Sequence, residues 1–161
     1  MHIGFSFPDP TSTFWTLICY GVRSAASELG AKLTALPAQT FQEQINAIAQ
    51  LVAQQVDVLI VGPFEPQFLA PVIDAVTQGG IPVLTVGVHI PGSAAIGAVY
   101  PDNVAAAASA ATYIVERLAG SGKVLHLRGP ASAAESADRA KGVARCSPGR
   151  VNSRLMVSQP T

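Results

Sequence analysis

Two adjacent aromatic residues, Phe14 and Trp15, follow a short polar segment that contains Asp9. Neighbouring side chains on a helix point in different directions, so with Phe14 turned into the core Trp15 is predicted to lie near the mouth of this segment. An aromatic ring beside a polar loop suits a small polyhydroxylated molecule, whose C–H faces stack on the ring while its hydroxyls form hydrogen bonds. The alternative interpretation makes Trp15 a rim-packing residue and Asp9 an ordinary turn residue.

Two further residues are predicted to lie at strand ends, where a ligand could reach them. Arg139 falls early in the helix that follows a strand at Lys123–Leu127, three residues before Gly142. His89 lies just past another strand, at Pro82–Val86. For both residues a place on the solvated surface is the alternative interpretation, because polar and charged side chains are mostly exposed.

The sequence motifs of common enzymes are missing. The first strand-to-helix loop lacks the Gly-x-Gly-x-x-Gly pattern that binds dinucleotides. Gly120–Lys123 is similar to a phosphate-binding loop in composition, but it precedes a strand, whereas such a loop follows a strand and opens a helix. No Ser lies in a Gly-x-Ser-x-Gly elbow, and no His, Asp or Glu residues have metal-ligand spacing. We therefore predict that the protein is not an enzyme and uses no cofactor or metal.

Five apolar, largely β-branched segments alternate with segments whose apolar residues recur at helical spacing. This alternation predicts an α/β fold, a flavodoxin-like, doubly wound parallel sheet with helices on both faces and strand order 2-1-3-4-5. Such sheets bind small ligands in the crevice at the carboxyl ends of their strands. The predicted strands are Ile3–Phe7, Lys32–Leu36, Asp57–Val61, Pro82–Val86 and Lys123–Leu127.

Capping and stop residues bound the helices between these strands. The first helix is predicted to begin at Ser12 or Thr13 and to end at Gly30. The second helix opens with a capping box headed by Thr40. The residues that the first helix is expected to bury are Phe14, Leu17, Ile18 and Leu29. A short strand or extended piece is also predicted at Ala95–Tyr100, and a strand-like piece at Arg154–Val157.

The composition of the chain narrows the class of protein. Its 161 residues suffice for one α/β domain, and with 49% hydrophobic and 12% charged residues it is a core-forming globular chain. Lys plus Arg and Asp plus Glu number 10 each, which argues against a nucleic-acid partner. No leader precedes the first strand, so either the chain stays in the cytoplasm or a leader has been removed. The spacing of Cys19 and Cys146 indicates no metal site.

Several short segments occur in a distinctive order and spacing, namely Phe14–Gly21, Glu28–Gly30, Asp57–Pro63, Gly80–Val83, Tyr100–Asn103, Gly122–Val124, Asp138–Gly142 and Ser158–Pro160. In these segments the chain resembles, over nearly its whole length, the amino-terminal lobe of type I periplasmic binding proteins, the ribose-binding-like group. The resemblance implies that Phe14 and Trp15 stack on a sugar. It also implies that Arg139 hydrogen-bonds the sugar oxygens.

The resemblance further implies a place in the cell and a set of partners. Residues 1–161 would form the amino-terminal lobe of a two-lobe solute-binding protein whose second lobe is absent. The protein would lie in the periplasm, bind a sugar-like small molecule and, as the full-length protein, deliver it to a membrane ABC permease. An isolated lobe would expose apolar surface, so self-association of this chain is expected.

The sequence departs from the family pattern at two strand ends, and other functions stay open. Gly87 and Val88 stand where the family has an Asp-Arg pair, and Gly62 replaces a polar residue before a proline. Glu65 and His89 are the candidates to supply the missing polar contacts. The alternatives are the ligand-sensing domain of a lactose-repressor-type regulator or a periplasmic sensor that partners a histidine kinase. An enzyme of flavodoxin-like architecture, which would lack its phosphate loop, is the third.

Overall fold

The computed structural model of the protein describes residues 1–129 and 133–146 in full and the backbone of residues 151–157. Strands and helices alternate along the chain, as the apolar pattern predicts. The strands are β1 His2–Pro8, β2 Lys32–Ala38, β3 Val58–Val61, β4 Val83–Val86, β5 Gly97–Val99, β6 Gly122–Arg128 and β7 Val151–Val157. The helices are α1 Thr13–Glu28, α2 Phe41–Ala53, α3 Pro66–Gln78, α4 Asn103–Arg117 and α5 Ala134–Arg145.

The chain forms two compact units, Met1–Tyr100 (unit 1) and Pro101–Thr161 (unit 2). The residues predicted to form a single lobe fall into these two units: β5 is the edge strand of the sheet of unit 1, and β6 pairs with β7 in a separate two-stranded sheet. Both sheets are parallel, and the α/β class predicted from the sequence is confirmed.

Unit 1 contains a five-stranded parallel sheet in the order β2-β1-β3-β4-β5. The predicted order 2-1-3-4-5 holds, but the fifth strand is β5 and not the predicted strand at Lys123–Leu127, which lies in β6. Leu84 pairs with Gly97 and Val86 with Val99 along this edge. β5 lies within the short strand or extended piece predicted at Ala95–Tyr100. A strand of three residues is too short to show an apolar period of its own, so the sequence pattern favoured the longer segment as the fifth strand of the sheet.

The core of unit 1 lies between the central strands and two helices. The capping box predicted at the start of α2 is present, because the Glu43 N–H donates to Thr40 Oγ1 over 3.1 Å. Helix α3 begins with Pro66, whose missing N–H has no partner to lose at that position. The buried side chains of this core are Ile48, Leu51, Val56, Leu59, Val61, Leu69, Ile73, Val76, Val83 and Ile90.

Helix α1 packs against β1 and β2 with a different face from the predicted one. Phe14 is 51% exposed, Leu17 is 65% exposed and Leu29 is 72% exposed, although all three were expected in the core. The half-buried or buried residues of α1 include Trp15, Ile18, Cys19, Val22 and Ala26. These positions also recur at i, i+3, i+4, i+7 and i+11, so the helix carries two apolar stripes and the sheet covers the second one.

Unit 2 consists of α4 and α5 packed together, with the parallel pair β6 and β7. The predicted cap of α4 is confirmed, because the Ala105 N–H donates to Asp102 Oδ1 over 2.8 Å. A Cβ at Gly142 would lie 2.9 Å from the Ala107 Cβ, so the absence of a side chain there lets α5 approach α4 closely. The extended piece predicted at Arg154–Val157 is part of β7.

Within the described residues, no helix combines the length and the apolar content that a bilayer crossing needs.

Candidate ligand-binding site

The carboxyl edge of the sheet in unit 1 brings together the loops that follow β1, β3 and β4. These loops begin at Asp9, Gly62 and Gly87, and α1 starts directly after the first of them. The backbone of two of the loops is tied to neighbouring strands: the Gly62 N–H donates to the Ser6 carbonyl and the Gly87 N–H to the Val99 carbonyl, each over 2.8 Å. This edge is where a doubly wound sheet binds its ligand.

Of the two aromatic residues of α1, Phe14 does not lie in the core as predicted. Trp15 is half-buried and turned toward the strand ends, whereas Phe14 is exposed at 51%. Their rings meet edge to face, with centroids 5.1 Å apart and an interplanar angle of 79°. Together they form one aromatic surface, with Trp15 as the inner ring and Phe14 as the outer ring.

The indole of Trp15 lies against the backbone of the loops after β3 and β4. A Cβ built on Gly62 would overlap ring atoms Cζ3 and Cη2 of Trp15. A Cβ on Gly87 would lie 3.1 Å from Cη2 of the same ring. The ring therefore fills the volume that side chains at positions 62 and 87 would otherwise use. Gly62 and Gly87 thus provide the space that the Trp15 ring occupies, in addition to lacking polar side chains.

A buried amide fixes the loop after β3. Gln44 on α2 has no exposed surface, and its Nε2 donates to the Gly62 carbonyl over 2.7 Å. Its Oε1 accepts a hydrogen bond from the Phe64 N–H, also over 2.7 Å. Because both ends of the side chain are engaged by the loop backbone, Gln44 holds the Gly62–Phe64 turn in one conformation.

Asp9 uses its carboxylate within its own turn. Oδ1 accepts hydrogen bonds from the Thr11 hydroxyl at 2.5 Å and from the Thr11 N–H at 3.1 Å. The hydroxyl contact is the main cause that holds the pKa of Asp9 below its ordinary value of 3.8. The residue has φ of +46°, a left-handed conformation that Asp tolerates in turns. Its predicted contact with a ligand hydroxyl stays a prediction.

Glu65 and His89 lie after β3 and β4, on the carboxyl side of the sheet, as the strand assignments predict. Glu65 precedes α3 and its side chain makes no capping hydrogen bond. His89 is exposed and stacks on Tyr100, with ring centroids 5.9 Å apart and planes inclined by 22°. The stack joins the loop after β4 to the residue that follows β5. The predicted role of Glu65 and His89, to replace the polar ligand contacts missing at positions 62 and 87, stays a prediction.

Arg139 belongs to unit 2, on α5. Its side chain is exposed, and Nε donates a hydrogen bond to Oδ1 of Asn103 over 2.8 Å. The same arginine borders a largely apolar groove of about 420 Å³ in unit 2. The contact with Asn103 engages one of the five N–H groups of the guanidinium and fixes it relative to the start of α4. Its predicted contact with ligand oxygens stays a prediction.

Reasoning from the sequence missed two features of this site. Gly62 and Gly87 were read as positions without a polar group, although glycines at two strand ends beside a tryptophan also indicate a close approach of a ring to backbone. Gln44 was not singled out, although it lies on the buried stripe of α2 with Ala47, Ile48 and Leu51. A polar residue on a buried face is a signal of a specific hydrogen-bonding role.

Across 1–129 and 133–146 there is no group of three or more His, Cys, Asp or Glu side chains that could hold a metal ion.

The chain is similar to known proteins of one family. Residues 3–149 match the family model described as a periplasmic binding protein domain. The chain is 33% identical to the xylitol-binding protein of Mycolicibacterium smegmatis over 100 residues, 62% of this chain and 29% of that protein. It is 26% identical to the ribose import binding protein of Bacillus subtilis over 141 residues, 87% of this chain and 46% of that protein.

A solved structure shows the same backbone arrangement. An ABC transporter solute binding protein from Mycobacterium smegmatis with bound glycerol matches with a TM-score of 0.86 and 26% identity, over 96% of this chain and 55% of that chain. The chain thus spans less than half of the two curated relatives and about half of this structure. Since the family model matches well over half of its residues, the chain belongs to the periplasmic binding protein domain family.

Proposed function

We propose that the protein binds a small polyhydroxylated solute, a sugar or a sugar alcohol, at the carboxyl edge of unit 1. The observation that carries this proposal is the aromatic surface of Trp15 and Phe14 beside the ends of β3 and β4. Aromatic rings bind the C–H faces of such molecules, and polar side chains around the ring bind their hydroxyls. Relatives named for xylitol and ribose binding support this class of ligand.

The residues proposed to contact the solute combine one aromatic surface with polar groups. Phe14 and Trp15 would stack on it, and a second group of side chains would bind its hydroxyls. This second group consists of Asp9, Glu65 and His89 in unit 1, and a contact of Arg139 in unit 2 with solute oxygens is proposed separately. Oδ1 of Asp9 already accepts two hydrogen bonds from Thr11, so a ligand hydroxyl would bind to Oδ2.

The solute-binding role implies a partner and a compartment. We infer that the protein is the solute-binding component of an ABC uptake system and hands its ligand to a membrane permease. The matching solute binding protein of an ABC transporter supports this role. The membership of the periplasmic binding protein domain family supports a periplasmic location.

The division of the chain into two units suggests which residues belong to which lobe of a two-lobe solute-binding protein. We infer that unit 1 is the first lobe and that unit 2 belongs to the second. Two observations support this inference. The sheet of unit 1 is complete with β5 at its edge, and β6 starts a sheet of its own.

The test uses the single tryptophan of the sequence as its reporter. We expect xylitol or ribose to change the emission of Trp15, because a stacked ligand alters the environment of the indole. Calorimetry on Trp15→Ala should then show a loss of about 1–3 kcal/mol in binding free energy, by analogy with base stacking on aromatic rings.

Two further variants complete this test. Tyr20→Ala is the matched control for Trp15→Ala, because Tyr20 is a ring on the same helix that is 72% exposed. Arg139→Ala should also weaken binding, by roughly 1–3 kcal/mol. Unchanged affinity in both Trp15→Ala and Arg139→Ala would show that the solute binds elsewhere.

A further inference from the structure

Trp15 and two glycines form a fitted arrangement at the ends of β3 and β4. The Trp15 ring occupies the space of a side chain at position 62 and touches the space of one at position 87. Both glycines are anchored, because the Gly62 N–H is bonded to β1 and the Gly87 N–H to β5. The ring thus rests on anchored backbone and would have to shift to accommodate a larger residue at position 62.

Gln44 holds the backbone of the loop against which the Trp15 ring packs. Its two hydrogen bonds of 2.7 Å fix the carbonyl of Gly62 and the N–H of Phe64. A fully buried amide that makes both bonds has one available orientation, so the loop backbone has little freedom to move away from the ring. The position of the Trp15 ring is therefore determined both by its contact with Gly62 and Gly87 and by the hydrogen bonds of Gln44 to the loop after β3.

We propose that Gly62 and Gly87 are specificity-determining residues that seat the Trp15 ring, and that Gln44 is a positioning residue for this seat. The inference rests on the proposed solute-binding function and deepens it. At the ends of β3 and β4 the ligand meets a flat π face and no hydroxyl-binding side chain from positions 62 and 87. The site consequently selects polyols that present a C–H face there and direct their hydroxyls elsewhere.

The existence of the seat is tested by a double-mutant cycle on the full chain. Gly62→Ala should lower the melting temperature in the presence of Trp15, and the loss should shrink or vanish in the Trp15→Ala background. Gly21→Ala is the control, because a Cβ there meets no atom within 4 Å. If Gly62→Ala alone fails to fold, the double variant with Trp15→Ala should fold. Equal losses in both backgrounds would overturn the seat.

Position 87 offers a separate control for backbone strain. Gly87 has φ of +91° and Gly80 has φ of +92°, but a Cβ at Gly80 meets no atom within 4 Å. Alanine at either position introduces the same conformational strain. The additional loss of melting temperature in Gly87→Ala over Gly80→Ala therefore reports contact with the ring. Equal losses would show that the ring does not rest on Gly87.

Ligand selection is tested with xylitol and ribose as probes, by calorimetry. Gly62→Ala should weaken binding of whichever probe binds the wild type by at least about tenfold, or about 1.4 kcal/mol, while Gly21→Ala leaves it unchanged. In Gln44→Ala, acrylamide should also quench Trp15 emission more strongly than in the wild type. A loss of stability alone does not change this quenching. Gln50→Ala, an exposed residue of the same helix, is its control.

The outcomes separate this inference from the proposed function. If the cycle shows coupling but Gly62→Ala binds the probe as well as wild type, the ring is seated but does not select the ligand, and the specificity role is wrong. If neither probe binds wild type, the proposed function fails together with the ligand part of the inference. The cycle then still decides whether the seat exists. Unchanged acrylamide quenching in Gln44→Ala would remove Gln44 from the arrangement.

Discussion

Unit 1 and unit 2 share an alternation of strand and helix, but they bury very different amounts of apolar side chain. In unit 1, Phe5, Leu51 and Leu59 have no exposed surface, and helices α2 and α3 cover one face of the sheet. In the described part of unit 2, Ala111 is the one buried hydrophobic side chain. The leucines of β6 are exposed, at 57% for Leu125 and 70% for Leu127.

The comparison shows that the same sequence pattern can produce two levels of packing. Strand–helix alternation determines the class of fold, but stability depends on apolar surface that is actually removed from water. In unit 2 the contact between α4 and α5 includes a close backbone approach, with Gly142 beside the Val104 carbonyl and the Ala107 Cβ. Such contacts bring backbones close together but bury little apolar area. Unit 1 is therefore expected to hold most of the folding free energy.

The largest expected effect follows from separating the units. A fragment of residues 1–100 should unfold cooperatively with heat, because it contains a complete sheet and its own core. A fragment of residues 101–161 should show no cooperative transition, since the apolar surface buried by its described side chains is too small to offset chain entropy. Circular dichroism melts of the two fragments provide the measurement. A sharp melt of the second fragment together with none of the first would reverse the comparison.

A matched pair of leucines measures the same difference inside the intact chain. Leu59→Ala in β3 should lower the free energy of unfolding by about 2–5 kcal/mol, because it removes a fully buried side chain and leaves a cavity. Leu127→Ala in β6 should change it by no more than roughly 0.5 kcal/mol, because that side chain is 70% exposed. Denaturant titrations of both variants check this. Similar losses would mean that Leu127 is covered in solution.

The helix caps of the two units provide a comparison that is independent of core packing. Thr40 caps α2 and Asp102 caps α4, each through one side-chain oxygen that accepts a backbone N–H. Replacing either residue with alanine should cost about 0.5–2 kcal/mol of helix stability. In denaturant melts Thr40→Ala should lower the global midpoint. Asp102→Ala should act locally on α4, as increased amide hydrogen exchange in its first turn.

The smallest expected effect is a titration on the surface of unit 1. Thr11→Val removes the hydroxyl that contributes most to the lowered pKa of Asp9, so this pKa should rise toward 3.8. Because the folded-state pKa is depressed, its contribution to stability is present above the unfolded-state pKa and is lost as pH falls through the folded-state pKa. The variant should lose less stability on acidification. Carboxyl NMR measures the pKa, with Thr13→Val as control.

Much of the first unit could be read from its sequence because the signals are local. The capping box at Thr40, the Pro66 start of α3 and the apolar stripe of α2 depend on residues within a few turns of each other. The predicted carboxyl-edge location of the site follows from parallel strand order alone. These features could be predicted from short stretches of sequence, because hydrogen bonding at a cap and burial of one helix stripe involve neighbouring residues.

The choice between the two stripes of α1 could not be read in this way. Phe14 and Leu17 satisfy the helical period as well as Trp15, Ile18 and Val22 do. The sheet covers the second stripe, where the strand ends offer Gly62 and Gly87 as space for an indole. Those glycines lie 47 and 72 residues along the chain from Trp15. The decision therefore rests on long-range packing, which no local pattern encodes.

By itself, the sequence determined the α/β class, the helix boundaries and the aromatic pair beside a polar loop. Periodicity and capping are properties of adjacent residues, so they survive without a three-dimensional context. The tertiary structure alone decided that β5 ends the first sheet, that the chain divides at Tyr100, and that Trp15 lies inside while Phe14 lies outside. Each of these outcomes depends on which surfaces meet, and close packing of distant residues decides that.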